Sequence, residues 1–439
     1  MEDERQAKRA KVEKQLGFRL TSLRSGTSTQ NRETQSLATL LDGAFTEAIL
    51  TNYKVDVDWL FAQSARLQVA PVLLVHGSSP ASMSEACRQF KNVTVIAPPL
   101  PIPYGTHHTK MMILFFDTFV RVAIFTANFV AGDWESKTQG VWMQEFPRRG
   151  SDASSHSFVF QSDLLGYMSS LGPAVAKLCQ DKFPLYDFSK AEVLLVSSVP
   201  GIYRSPAEME KYGHLRMKRL LQRSRLSRSQ DHPLICQYSS LGSLDEKWLV
   251  EFFKSMTGAT SAVESPIPAG KLHCIWPSVA AVQNSIQGWD AGRSLPCSIK
   301  NMKPFLHKYL RAWDPPEELH RRNAMPHIKS YTTLDPNTRA LDYVLLTSAN
   351  LSKAAWGTLQ KNNTQFMIRS YELGVLFLPT EDVPNLRFAH ESCVEPASLY
   401  FPLPFRWPPT RYNSKTEEPW CWDIERTEKD IFGQVYLVD

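Results

Sequence analysis

One pattern occurs twice in this chain and constrains its fold more than any other feature. His108-Thr109-Lys110 is followed by the apolar run Met111 to Phe116 and then by Thr126-Ala127-Asn128. His327-Ile328-Lys329 is followed by Tyr343 to Leu346 and then by Ser348-Ala349-Asn350. Lys110 precedes Asn128 by 18 positions and Lys329 precedes Asn350 by 21, and the turn Asp335-Pro336-Asn337 accounts for the difference. A tryptophan follows each Asn at the same offset (Trp134, Trp356), and a hydroxyl stands two residues before each (Thr126, Ser348). Agreement in order and offset implies a duplication, with two similar units packed about a pseudo-two-fold axis.

The chemistry follows from strand geometry. Residues i and i+2 of an extended chain point to one side, so each H-x-K presents an imidazole and an ammonium together. Two such units facing each other bring two imidazoles, two ammoniums and two carboxamides to one place. Such a set is rich in cations and N–H donors and suits a phosphate group. Lysine beside each histidine argues against a metal ion there, so neither metal nor cofactor is expected. One unprotonated imidazole can attack phosphorus while the other, protonated, gives its proton to the leaving oxygen. Imidazole titrates near neutrality and fits both tasks. A single H-x-K is common by chance; a duplicated one with matched Asn and Trp positions is not.

The chain of 439 residues is long enough for two domains. Residues 1–33 are polar and are expected to be a disordered tail, 34–190 the first unit, and 191–439 the second with a C-terminal strap rich in proline and tryptophan. Within that tail, Lys8-Arg9-Ala10-Lys11 fits either part of a nuclear localisation signal or a solvated stretch. With 43% hydrophobic and 21% charged residues the composition is that of a globular protein. No apolar run reaches membrane-spanning length and no apolar leader follows Met1, so neither a membrane association nor secretion is expected. Seven scattered cysteines without a C-x-x-C pair suit reduced thiols in an intracellular protein. The formal charge of +5 permits a polyanionic partner without requiring one.

Compact apolar runs at Val72–Val75, Val93–Ala97, Met111–Phe116 and Arg121–Thr126 read as strands. Helical spacing is read over Ser36–Leu50, Asp56–Ala65, Ala81–Lys91 and Ser162–Gln180. A second succession has strands at Val193–Val196, Ile235–Tyr238, Leu272–Trp276, Asp342–Thr347 and Glu372–Leu378, and helices at Leu244–Ser255 and Pro304–Trp313. The rhythm is that of an α/β protein with largely parallel sheets covered by helices. The basic stretch Lys218–Arg228 reads as a solvated helix face more readily than as a binding surface.

GTHHTKMMILFF…FTANFVAGDWESKTQGVW and AMPHIKSY…LLTSANLSKAAWGTLQKNNTQFMIRSYELGVLFLP resemble the two signature motifs of the tyrosyl-DNA phosphodiesterase branch of the phospholipase D superfamily. The resemblance extends over roughly residues 35–439 and includes QYSSLGSL and PWCWDI. The wider superfamily carries H-x-K-x4-D; here Phe115 and Leu334 stand where the acid would be, and that departure separates the chain from phospholipases. The resemblance implies two similar α/β/α sandwich domains with mixed sheets, a phospholipase D-like duplication with the active site between them. It implies His108 as nucleophile, His327 as general acid and then base, and Lys110, Lys329, Asn128 and Asn350 as phosphate ligands. It further implies that Glu372 supports His108 and Gln139 supports His327. Tyr104, Ser239, Ser240, Ser243, Ser352, Lys353 and Trp422 match positions that contact DNA or its adduct. The substrate so implied is a DNA 3′ end carrying a topoisomerase I tyrosine or its peptide remnant, cleaved by a monomeric nuclear enzyme. The rivals are the same chemistry on another diester, and a silent DNA-end binding module.

Overall fold

The structure is a computed structural model and describes residues 14–77, 80–150, 158–224, 231–261, 263–392, 394–413 and 415–438. The basic stretch at residues 8–11, Cys393 and the end of the basic segment beyond residue 224 lie outside them.

Two seven-stranded mixed sheets dominate the molecule. The first holds β1 (Arg19–Leu20), β2 (Glu47–Asn52), β3 (Val72–His76), β4 (Val93–Ile96), β5 (Met111–Phe115), β6 (Phe119–Phe125) and β7 (Gly140–Pro147), in the order β1-β7-β6-β5-β2-β3-β4. The second holds β8 (Leu194–Ser198), β9 (Leu234–Gln237), β10 (Leu272–Trp276), β11 (Leu310–Ala312), β12 (Ser330–Thr333), β13 (Val344–Thr347) and β14 (Glu372–Phe377), in the order β8-β14-β13-β12-β9-β10-β11. In each sheet three strands are parallel (β2, β3, β4; β9, β10, β11) and the rest antiparallel. Both sheets therefore have one topology, strand for strand, with β5 and β12 continuing from the two H-x-K stretches. The reading of largely parallel sheets gives way to mixed ones.

The first sheet is buried on both faces. Along β2 and β5, Ala48, Leu50, Met112 and Leu114 belong to one apolar cluster, with Leu40, Leu60 and Phe61. Ile49, Met111, Ile113 and Phe115 belong to another, which runs on into the second half through Leu195, Leu346 and Val375. A strand covered on both sides shows no polar alternation. That is why residues 36–50 carry helical spacing yet form only one helical turn, Leu37–Leu40, followed by the central strand β2.

Other elements also depart from the sequence reading. Gly172 and Pro173 split the helix expected over Ser162–Gln180 into Val159–Ser169 and Pro173–Lys182. The stretch 304–313 is a 3₁₀ turn, Pro304–Tyr309, leading into β11. The tail expected to be disordered is ordered from residue 14 onward. Phe18 and Leu20 are buried, β1 pairs with the start of β7, and Gly17 N–H donates to Tyr400 O at 2.9 Å. Sparse apolar content concealed this, because few apolar side chains (Phe18, Leu20, Leu23) anchor the segment and backbone bonds such as that from Gly17 do much of the rest.

Candidate active site

Each histidine is held by the opposite half. His108 N–H donates to Tyr371 O at 3.0 Å, and Tyr371 N–H to Thr106 O at 2.9 Å. His327 N–H donates to Thr138 O at 2.9 Å, and Thr138 N–H to Met325 O at 3.0 Å. The residue following each of these bridges starts or abuts the next strand and reaches a histidine ring. Glu372 Oε2 lies 3.0 Å from His108 Nδ1, and the Gln139 amide lies 3.0 Å from His327 Nδ1. The repeated hydroxyls anchor these two side chains: Thr126 Oγ1 donates to Gln139 Oε1 at 2.7 Å and Ser348 Oγ to Glu372 Oε2 at 2.5 Å. Each lysine folds back onto the carbonyl of its own histidine, Lys110 at 2.7 Å and Lys329 at 2.5 Å. The matched tryptophans are structural. Trp134 packs on Phe125, and Trp356 on Phe252 and Tyr331.

The two carboxamides differ. Asn350 Oδ1 accepts from Ser239 N–H at 3.0 Å, which leaves its amide nitrogen for a ligand. Asn128 donates one N–H of its amide to Asp133 Oδ2 at 2.8 Å, and its Oδ1 has no partner. Asn350 therefore has both amide N–H groups for a phosphate and Asn128 has one.

A cleft of about 560 Å³ is lined by His108, His327, Asn128, Asn350, Glu372, Tyr104, Ser239, Ser240, Ser352 and Trp422. Lys110, Lys329 and Gln139 are fully buried beside it. Tyr104 is 94% exposed and has φ of +61°, a left-handed backbone that turns the ring away from packing. Ser352 caps the turn Lys353–Trp356 by accepting from Ala355 N–H at 3.2 Å. Two expected contacts are not in the cleft lining: Ser243 is exposed, and Lys353 is ion-paired with Asp245, the cap of helix Glu246–Met256. Tyr53, Arg293 and Ser294 line the cleft without having been singled out from sequence. The Tyr53 ring stands 5.3 Å from that of His108, with Lys110 Nζ 5.7 Å from its centroid. Its position one residue past β2 marks it only once β2 is known to be a strand.

Electrostatics follow from burial. Burial lowers the His108 pKa and Lys110 lowers it further, while Glu372 opposes both. Burial and Lys329 push His327 well down against Asp133. Burial brings Lys110 down to about 8, and burial with Lys110 as neighbour pushes Lys329 well below its usual value. Burial would raise Glu372, but His108, Lys110 and the Ser348 hydroxyl hold it below the usual carboxylate range. Two crowded, desolvated lysines form a site that gains from taking in an anion. Among the described residues no group of three or more His, Cys, Asp or Glu is placed to hold a metal ion.

The family model described as tyrosyl-DNA phosphodiesterase matches residues 17–413. The chain belongs to the tyrosyl-DNA phosphodiesterase family. It is a phosphodiesterase on that ground. It is 37% identical to tyrosyl-DNA phosphodiesterase 1 of Arabidopsis thaliana, over 95% of this chain and 76% of that one. It is 34% identical to the Drosophila melanogaster enzyme of the same name, over 87% and 68%. The fold is that of the crystal structure of the yeast tyrosyl-DNA phosphodiesterase, with a TM-score of 0.70 at 20% identity, covering 92% of this chain and 99% of that one. The phospholipase D-like duplication read from the repeated motifs is the architecture of this chain.

Proposed function

We propose that this phosphodiesterase removes tyrosine, or a peptide joined through tyrosine, from a DNA 3′-phosphate by a two-step covalent route, with topoisomerase I as the source of the adduct. The observation that carries this reading is the unequal support of two histidines on one cleft. Glu372, an anion, accepts from His108 Nδ1–H and leaves the Nε2 lone pair free to attack phosphorus. Tyrosinate leaves as His327 gives it a proton; water then attacks the phosphohistidine while His327 takes a proton back, and the product is a 3′-phosphate. Lys110, Lys329 and the Asn350 amide would hold the non-bridging oxygens. The exposed Tyr104 ring offers a face on which a base can stack, and Ser239 and Ser240 line the same wall. A nuclear location follows from this substrate.

The test is cleavage of a 3′-phosphotyrosyl oligonucleotide in EDTA beside a phosphatidylcholine control. Release of tyrosine with EDTA present is expected; cleavage of the lipid alone would overturn the reading. His108→Ala should abolish turnover without an adduct. His327→Asn should slow the second step and leave protein bound to DNA on a denaturing gel. No adduct at any time would remove His108 as nucleophile.

A further inference from the structure

The two halves match at most positions of the site, but five residues past each Asn they diverge: Asp133 in the first half, Ala355 in the second. Asp133 lies on the short helix Ala131–Glu135 and is buried. Its Oδ2 accepts from Asn128 N–H and Nδ2–H, each at 2.8 Å, and its Oδ1 from Lys137 Nζ at 2.6 Å. Lys137 also donates to Ser294 Oγ at 2.6 Å. Held by three donors, the carboxylate cannot turn away, and Oδ2 stands 3.5 Å from His327 Nδ1.

His327 Nδ1 otherwise faces neutral groups, the Gln139 amide and the Thr126 carbonyl at 3.1 Å. The cations acting on the ring are Lys329, Lys137 and Lys110, and Asp133 is the anion in contact with it. A buried imidazolium among three ammoniums is strongly disfavoured unless a fixed negative charge adjoins it. We propose that Asp133 is the positioning residue that lets His327 act as an acid, by fixing a negative charge 3.5 Å from Nδ1 that balances the ring's charge while Nε2 carries the proton for the leaving group. In the first step the His108 Nε2–phosphorus bond forms and the phosphorus–tyrosine oxygen bond breaks, and the Nε2 proton of His327 passes to that oxygen. In the second, water bonds to phosphorus, its proton returns to His327 Nε2, and the phosphorus–His108 bond breaks. The Nδ1 proton stays on the ring throughout, within reach of the Thr126 carbonyl at 3.1 Å. The second histidine thus also has a carboxylate, set farther away than Glu372 is from His108.

The proposal rests on the reading of His327 as general acid, and its test separates the two. Single-turnover rates are measured for 3′-phosphotyrosyl and 3′-(4-nitrophenyl phosphate) oligonucleotides, because nitrophenolate leaves without needing a proton. Asp133→Asn should lose at least about tenfold more rate on the tyrosyl ester than on the nitrophenyl ester, within the range a positioned acid supplies. The double variant Asp133→Asn/Lys137→Gln also removes one of the cations acting on the ring, so it should still lose more on the tyrosyl ester, by a smaller ratio. Both rates come from one preparation, so a partly folded variant reports the same ratio. Equal losses on the two esters, with His327→Ala still losing more on the tyrosyl ester, would mean that Asp133 only holds Asn128, and the proposal falls alone. Equal losses in His327→Ala itself would overturn the acid reading, and this proposal with it.

Discussion

Lys110 shows how a residue's surroundings set its working range. Burial brings its pKa to about 8, so the free enzyme loses that charge as pH rises through this value, whereas a bound phosphate keeps the lysine protonated. Above about pH 8 each binding event must therefore take up a proton, and affinity should fall by about tenfold per pH unit. Binding of the tyrosyl oligonucleotide by His108→Ala, which cannot turn over, measures this directly. A constant dissociation constant between pH 7 and 9.5 would exclude Lys110 as the phosphate's partner. Glu372 works in the opposite sense. It stays ionised in spite of burial because His108, Lys110 and Ser348 all favour the anion. Glu372→Gln should lower kcat by about 10²-fold, an effect of the size expected when the partner that orients a nucleophile's ring is neutralised. An unchanged kcat would break the link between that carboxylate and His108.

Among the elements, β7 meets the second half at its first residue. Gly140 opens it, and a Cβ there would lie 2.5 Å from Leu346 Cδ1 and 2.9 Å from Ile328 Cδ1. Both neighbours are fully buried in the second half and have no room to swing aside. Gly140→Val should cost about 1–3 kcal/mol through overpacking, read as a lower urea midpoint. It should also slow the step that needs His327, because Gln139 is the preceding residue. The glycine is legible in the sequence, but its reason is not: the atoms that crowd it are some 190 to 210 positions away in the chain. The strands of the second sheet, β8, β9, β10, β13 and β14, could be read because they are short apolar runs between turn residues. Strand β2 was hidden as a helix because burial on both faces erased its alternation. Strand β7 and the pairing of β1 left no pattern to read.

At the scale of the molecule, the N-terminal segment ties one sheet to the far end of the chain. Thr21 N–H donates to Gln139 O at 3.1 Å, and Thr21 O accepts from the buried Arg321 at 2.9 Å. Removing residues 1–35 exposes the sites of Phe18 and Leu20 and frees the edge of β7. Burying each of those two side chains is worth about 1.5–3 kcal/mol, so the truncated protein should unfold at a clearly lower urea concentration. An unchanged midpoint would show that the segment merely lies on the surface. Separate expression gives a sharper check on the whole architecture. Residues 14–190 carry His108 without Glu372, and residues 191–438 carry His327 without Gln139, so neither piece alone should release tyrosine.

The duplicated H-x-K…N pattern by itself determined the two-unit architecture and the six side chains that meet, and the longer stretches around it carried the family resemblance, because strand periodicity and offset survive in a linear text. The tertiary structure decided what surrounds them: the exchange of supports between halves, the diversion of Asn128 to Asp133, Lys353 drawn off to Asp245, and Tyr53 beside His108. Local order along a chain sets which face a side chain takes. The charges and atoms that it meets there belong to segments remote in sequence, and packing brings them within reach.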